Sequence, residues 1–102
     1  MEKLKLKKPV TINGELKETI EYDLESLTGA DVQQAIKDLG KKGIIISTTE
    51  LDVNYHAAMF AVSSGLSLDD MSLLGAKDYN IATIRVRDFF LSDSAEQSTL
   101  DS

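Results

Sequence analysis

Apolar and polar residues alternate along the first 24 positions of the chain. Period-two alternation is typical of strands that bury one face. Asn13-Gly14 interrupts the pattern, and this dipeptide favours a two-residue type I′ turn because both residues accept positive φ angles. We therefore predict an antiparallel hairpin with strands over 3–12 and 15–24. Pro9 has no amide hydrogen to donate, so it should lie on an edge strand or at a bulge. The inward positions are Leu4, Leu6, Val10 and Ile12, then Leu16, Ile20, Tyr22 and Leu24.

After Leu27 the spacing of apolar residues changes to three and four, which predicts a first helix. Thr28 and Asp31 have the spacing of a capping box, with Asp in place of the usual Glu. Either Gly40 or Gly43 would end this helix, because glycine accepts the left-handed conformation that follows many helices. The apolar stripe of the helix consists of Val32, Ala35, Ile36 and Leu39.

The segment 44–46 is a run of three isoleucines, which fits either a brief strand or a buried connector. A second helix is predicted from about Glu50 to Ser64, with Thr48 or Thr49 as its cap. Gly65 would end it.

Two further helical segments complete the prediction. Ser67 and Asp70 repeat the capping signature, this time for a short helical turn over 68–74. A final helix is expected over 76–91. The polar, acidic segment 92–102 is expected to be a flexible tail. The predicted class is α+β, with an N-terminal antiparallel hairpin followed by three main helical segments in one domain, 1–91.

The last two long helices have apolar residues on more than one face. A helix of this kind is either sandwiched between layers or exposes one face to a partner. For the second helix both interpretations stay open. For the last helix we favour a partner, because charged residues interrupt the second face. The predicted partner-binding residues are Ile81, Ile84, Arg87 and Leu91 on the last helix, and Val53 and Phe60 on the second.

Charge and composition exclude several functions. The formal net charge of -6 disfavours binding to nucleic acid. The lysines of the first strand, at positions 3, 5, 7 and 8, are interpreted as solvent-facing strand positions. The chain has no cysteine, which fits a reducing cytoplasm. It shows neither a signal-peptide pattern nor an apolar stretch long enough to cross a bilayer, so we expect a soluble cytoplasmic protein without a membrane partner.

Catalytic chemistry is not expected. His56 is the single histidine of the chain. In a regular helix Asp52, His56 and Ser63 would share one face, which is more typical of an exposed polar stripe than of a catalytic triad. One histidine, no cysteine and scattered carboxylates do not make a metal site. No glycine pattern matches a phosphate-binding loop. We therefore predict no catalytic, cofactor-binding or metal-binding residues, and no enzyme.

Three stretches of the sequence resemble a known family when taken in order. These stretches are LKLKKPVTINGELKETIEYDL, the helix start TGAD, and LSLDDMSLLGAKDYNIATIRVRDFFL. Together they resemble the tail assembly chaperones of long-tailed bacteriophages, notably the Mu-type group. The matching positions of the last stretch are Leu68, Met71, Leu74, Asp78 and Phe90-Leu91. The resemblance omits the 40–50 connector and the tail. At 25–27 this chain has Glu-Ser-Leu, where the family commonly has a proline.

The resemblance implies a non-enzymatic role without a cofactor. Such chaperones bind the long, helical tape-measure protein in the host cytoplasm and keep it soluble. They give way as tail tube protein polymerises around it, which makes the tube protein a further partner. Self-association is expected, and so is absence from the mature virion. The alternatives are a structural virion component such as a head-tail adaptor, or a small oligomeric protein-interaction module. A DNA-binding regulator would need more positive charge than Arg85 and Arg87 supply.

Overall fold

The computed structural model describes the backbone of residues 1–46 and 51–101, and the side chains of residues 1–46 and 51–92. The predicted α+β class is confirmed: one two-stranded antiparallel sheet precedes the helices. The elements are β1 (Glu2–Ile12), β2 (Glu15–Tyr22), a 3₁₀ turn (Leu24–Ser26), α1 (Gly29–Lys41), α2 (Val53–Ser64), α3 (Leu68–Met71) and α4 (Ala76–Asp101).

The hairpin turns where the sequence predicts it. Asn13 and Gly14 both have positive φ angles, of 54° and 81°, as a type I′ turn requires. Ile12 lies opposite Glu15 across this turn. The pairing register shifts between Lys5 and Val10, because β1 has extra residues there. Pro9 lies in this irregular part, which confirms its predicted place at a bulge.

The same irregularity corrects the prediction for Leu16. Residues directly opposite each other in an antiparallel pair share a face of the sheet. Val10 lies opposite Lys17, whereas Leu16 lies opposite Thr11. Leu16 therefore lies on the outer face, with 63% of its surface exposed. The inward prediction for Leu16 is wrong, because the register shift changes which residues of β2 face the core near the turn.

Helix α1 begins as predicted. Thr28 Oγ1 accepts from the amide of Asp31 at 3.2 Å, and the amide of Thr28 donates to the Asp31 carboxylate at 2.9 Å. The helix ends at Lys41, and the glycine with positive φ after it is Gly43. Gly40 is still helical. The isoleucine run 44–46 forms no strand and is a connector. The Ile44 amide donates to the carbonyl of Leu39 at the end of α1.

Helix α2 lies at the centre of the fold, in contact with α1, α3, α4 and β2. It begins at Val53, after the cap Asp52, and not at Glu50. The predicted caps Thr48 and Thr49 fall outside the described residues. Gly65 ends the helix in the left-handed conformation, as predicted. All seven residues from Tyr55 to Ala61 are buried, so neighbouring elements cover the middle of α2 on both of its apolar faces.

Helices α3 and α4 begin where the sequence predicts, but α4 is longer than expected. Ser67 and Asp70 form both hydrogen bonds of a capping box at the start of α3. Helix α4 begins at Ala76 as predicted and continues past Leu91 to Asp101. The domain boundary at Leu91 and the flexibility of 92–102 stay predictions.

Helix α4 covers the outer edge of β1. The buried carboxylate of Asp78 accepts from the amides of Lys7 and Lys8, at 2.9 and 3.1 Å. About two turns further on, Arg85 donates to the carbonyl of Lys3 at 3.2 Å and to the hydroxyl of Tyr22 at 2.8 Å. Backbone groups of β1 that β2 does not pair thus find partners on α4, which protects the edge of the sheet.

Candidate partner-binding surface

Of the six predicted partner-binding residues, Phe60 lies in the core. Its side chain is 0% exposed, and its ring centroid lies 5.0 Å from that of Tyr22. It has no surface to offer a partner. Sequence periodicity placed Phe60 on a second apolar face of α2. In the structure both β2 and α4 pack against this helix. The residue is therefore corrected from partner binding to core packing.

Val53 begins α2 and is 47% exposed. Two larger apolar residues near it along the chain are more exposed: Leu51 at 71% and Ile45 at 89%. We call Leu51 and Val53, which flank the cap Asp52, the α2-entry surface. The sequence prediction missed Leu51, because a helix starting at Glu50 would have placed it on the buried stripe. It missed Ile45 because the isoleucine run was expected to form a brief strand or a buried connector.

Four residues of α4 lie on the side of the helix away from its two fully buried residues. Ala82 and Val86 are 0% exposed on the buried side of the helix. Ile84 is about 200° from each of them around the helix axis, at about 100° per residue. We call the residues on this outer side, Ile84, Arg87, Asp88 and Leu91, the α4 ridge.

The ridge combines half-buried and exposed side chains. Ile84 and Leu91 are half-buried, whereas Arg87 and Asp88 are exposed. The Arg87 guanidinium lies 3.4 Å from the Asp88 carboxylate, an exposed pair that contributes little to stability. Ile81 is half-buried and packs against the core, so it belongs to the border of the ridge. Partner binding by Ile81, Ile84, Arg87, Leu91 and Val53 stays a prediction.

An open groove of about 690 Å³ lies between the start of β1 and α4. Its floor includes Tyr22, whose pKa is raised by burial, although the neighbouring Arg85 acts in the opposite direction. The Arg85 guanidinium also lies 5.9 Å from the centroid of the Tyr22 ring. Burial likewise raises the pKa of Tyr79 on α4. The charged lining of the groove mixes both signs, from Glu2, Lys3, Arg85 and Asp88.

Comparison with known families decides the class of protein. Residues 3–91 match the model of a family described as phage tail assembly chaperone proteins, E, or 41 or 14. The chain belongs to this family. The match covers every element from β1 to the ridge of α4, and it confirms the resemblance seen in the sequence. No curated protein matches the chain, and no solved structure matches it.

A chaperone family implies a non-enzymatic role, and the three residues considered for a catalytic triad have other contacts in this tail assembly chaperone. Asp52 caps α2, accepting from the amides of Asn54 and Tyr55. Ser63 donates to the carbonyl of Phe60 at 2.8 Å. His56 is 2% exposed, and its ring lies edge-on to Tyr55 with centroids 5.9 Å apart. The predicted exposed stripe is thus wrong for His56.

Within the described part of the chain, no group of three or more histidine, aspartate or glutamate side chains is placed to hold a metal ion. The described helices include none with the length and apolarity needed to cross a bilayer.

Proposed function

We propose that this chaperone binds the tape-measure protein of its phage and keeps it soluble until tail tube protein polymerises around it. The observation that carries this proposal is the α2-entry surface, where Leu51 is 71% and Val53 47% exposed; Ile45, earlier in the chain, is exposed as well. Burial of a large aliphatic side chain contributes about 1.5–3 kcal/mol. An apolar seam on a long helix is a ligand that such a surface can cover.

The charge of the chain supports a solubilising role. A net charge of -6 opposes aggregation through repulsion between complexes. An apolar contact would hold the client while the acidic remainder of the chaperone keeps the complex dispersed. We further propose that the chain self-associates and that tail tube protein is a second partner, which displaces it from the client.

Substitution of the α2-entry surface tests client binding. The variant carrying Leu51→Asp and Val53→Asp should fold normally, because both residues are exposed and an acidic residue at the first position of α2 is favourable. Removing two apolar contacts of this size and introducing charge should weaken client binding by at least about tenfold. The measurement is the soluble fraction of co-expressed tape-measure protein.

The control is Leu16→Asp, which introduces one negative charge at another exposed leucine, on the hairpin. It should keep the client as soluble as the parent chain does. Equal client solubility with both variants, at equal chaperone levels and equal circular dichroism spectra, would contradict the proposed surface.

A chaperone that acts before completion of the tail should stay in the host cytoplasm and be absent from the mature virion. Mass spectrometry of purified virions is expected to find the tape-measure and tube proteins but no peptides of this chain. A fixed copy number per particle would instead identify a structural component such as a head-tail adaptor.

A further inference from the structure

We infer that the outer edge of β2 is a docking site for an extended segment of a partner polypeptide, which adds to the hairpin as a third strand. The site consists of Thr19 and Glu21 on β2 together with the groove beside them. The inference goes beyond the proposed function, because the α2-entry surface is proposed to cover a helix, whereas this edge takes an extended chain.

The backbone groups of β1 show which way the paired residues of β2 point. The carbonyl of Lys3 accepts from Arg85 on α4, and the amide of Lys7 donates to Asp78. These backbone groups therefore point away from β2. Lys3 lies opposite Glu21, and directly opposite residues of an antiparallel pair either exchange both hydrogen bonds or both point outward. The amide and carbonyl of Glu21 thus point away from β1.

Thr19 belongs to the same outward series of backbone groups. It lies opposite Lys5 and two residues before Glu21, so its amide and carbonyl point the same way. At the end of the series, the amide of Asp23 donates to the carbonyl of Ser63 on α2 at 3.0 Å. Within the part of the chain that the structure describes, no hydrogen bond joins the backbone of Thr19 or Glu21 to an element outside the sheet. The edge therefore offers the alternating donors and acceptors with which a further strand pairs.

An open groove of about 420 Å³ lies beside this edge. Its lining includes Ile20 of β2, and Ser64 and Leu66 at and just after the end of α2. Ile20 is 4% exposed, and Leu66 packs against the core. In an added strand, the residue opposite Ile20 shares its face of the sheet, which places it between Ile20 and Leu66. That position suits an apolar, β-branched residue.

The two flanking positions of the added strand lie opposite Thr19 and Glu21. The Glu21 carboxylate lies 4.0 Å from the ammonium group of Lys3, and both side chains are exposed, so this ion pair contributes little. A lysine or arginine opposite Glu21 would give the carboxylate a second partner across the strands. The segment that fits the edge therefore has a β-branched apolar residue at its centre, a basic residue on one side and a polar residue on the other.

The surroundings of the edge favour a bare segment over a second copy of the chain. Ser63 already bonds the edge at Asp23, and Ser64 and Leu66 bound the groove. A second copy would bring the same rim beside its own β2, so the two rims would meet before the strands could pair. A helical client does not fit either, because the backbone groups of a helix are bonded within the helix.

Hydrogen exchange in the free protein tests the direction of the backbone groups. The amides of Thr19 and Glu21 should exchange with solvent at least about tenfold faster than the amide of Ile20, which pairs with β1. NMR measures the exchange rate of each amide. Equal protection of all three amides would overturn the inference, because the edge would then be covered.

Binding is tested with a synthetic probe, a disulfide-closed hairpin peptide whose outer strand reads Lys-Val-Thr. Closure into a hairpin lowers the cost of ordering the strand. In antiparallel pairing its lysine lies opposite Glu21, its valine opposite Ile20 and its threonine opposite Thr19. At about 1 mM the probe should slow exchange of the Thr19 and Glu21 amides at least about tenfold and leave the Ile20 amide unchanged.

Two altered probes are the matched controls. One has aspartate in place of the central valine, and the other carries a methyl group on the backbone nitrogen of its threonine. Each should bind at least about tenfold more weakly than the parent probe. A parent probe that protects neither amide, or altered probes that bind as well as the parent probe, would overturn the inference.

Substitution of Thr19 tests the edge from the side of the protein. Thr19→Pro removes an outward amide and no hydrogen bond between β1 and β2, and proline is tolerated on such an edge. This variant should bind the probe at least about tenfold more weakly. Thr19→Val keeps the amide and should bind as the parent chain does. If Thr19→Pro does not fold, as judged by circular dichroism, the methylated probe decides, since it leaves the protein unchanged.

Client solubility and oligomeric state are measured on the same variants. Thr19→Pro should keep the tape-measure protein as soluble as the parent chain does, and the variant with Leu51→Asp and Val53→Asp should bind the probe normally. A client that aggregates with Thr19→Pro but not with Thr19→Val would show that the edge holds the client, which overturns the inference. A parent dimer that becomes monomeric with Thr19→Pro would assign the edge to a second copy and overturn it as well.

Discussion

Replacing Phe60 with alanine should lower the free energy of unfolding by about 3–5 kcal/mol, the largest effect we expect of any single substitution. The side chain is fully buried at the centre of α2 and packs against Tyr22. Removing the ring leaves a cavity that the surrounding helices and strands can fill only in part. Small domains have about 5–15 kcal/mol of stability in total, so the variant should unfold at a much lower urea concentration.

Val62→Ala on the same helix is the matched control. Val62 is 38% exposed, so its substitution should change the unfolding free energy by less than about 1 kcal/mol. Urea denaturation followed by circular dichroism measures both variants. If the Phe60 variant were as stable as the parent while client or partner binding fell, Phe60 would belong to an interface after all, and the core assignment would fail.

Asp78→Ala should be the second most destabilising of the changes considered, at about 2–4 kcal/mol. The carboxylate accepts two backbone amides, those of Lys7 and Lys8, in the part of β1 where pairing with β2 is interrupted. Without this carboxylate, the amides of Lys7 and Lys8 lose their hydrogen-bond acceptor. The start of α4 then loses these two hydrogen bonds to β1. Thermal unfolding should show a clear fall in the midpoint temperature.

Asp69→Ala is the control for this change. Its carboxylate forms an exposed ion pair with Lys42 at 2.7 Å, and such pairs contribute about 0–1 kcal/mol. The two substitutions remove the same group from a buried and from an exposed site. Equal midpoint temperatures for the two variants would show that the Asp78 contact to β1 contributes no more than a surface ion pair.

Local signals in the sequence predicted most of the elements. The turn at Asn13-Gly14, the capping boxes beginning at Thr28 and Ser67, and the end of α2 at Gly65 all lie where expected. Each of these signals acts within a few residues of the chain. They depend on backbone angles and on short-range hydrogen bonds, so tertiary packing has little opportunity to override them.

Errors arose where distant elements meet. The register shift in β1 changes the face of Leu16, and the amides in that irregular part bind Asp78, about 70 residues away along the chain. Periodicity cannot report such a contact. His56 was expected on an exposed stripe, but α1, α3, α4 and β2 pack against α2 and the residue is buried.

The two candidate surfaces also differ in how far local sequence signals could predict them. The α4 ridge could be found from the sequence, because a helical period shows that Ile84 and Leu91 lie on the face away from Ala82 and Val86. Of the α2-entry surface the sequence indicated only Val53, because the exposure of Leu51 depends on where α2 begins.

The sequence by itself determined the hairpin, the order and capping of the helices, and the family to which the chain belongs. The tertiary structure alone decided which apolar faces are covered, and so which of them can bind another protein. The physical reason is that spacing along a chain shows which side chains share a face. Burial depends on how many elements pack against that face, as Phe60 inside the core and Leu51 outside it demonstrate.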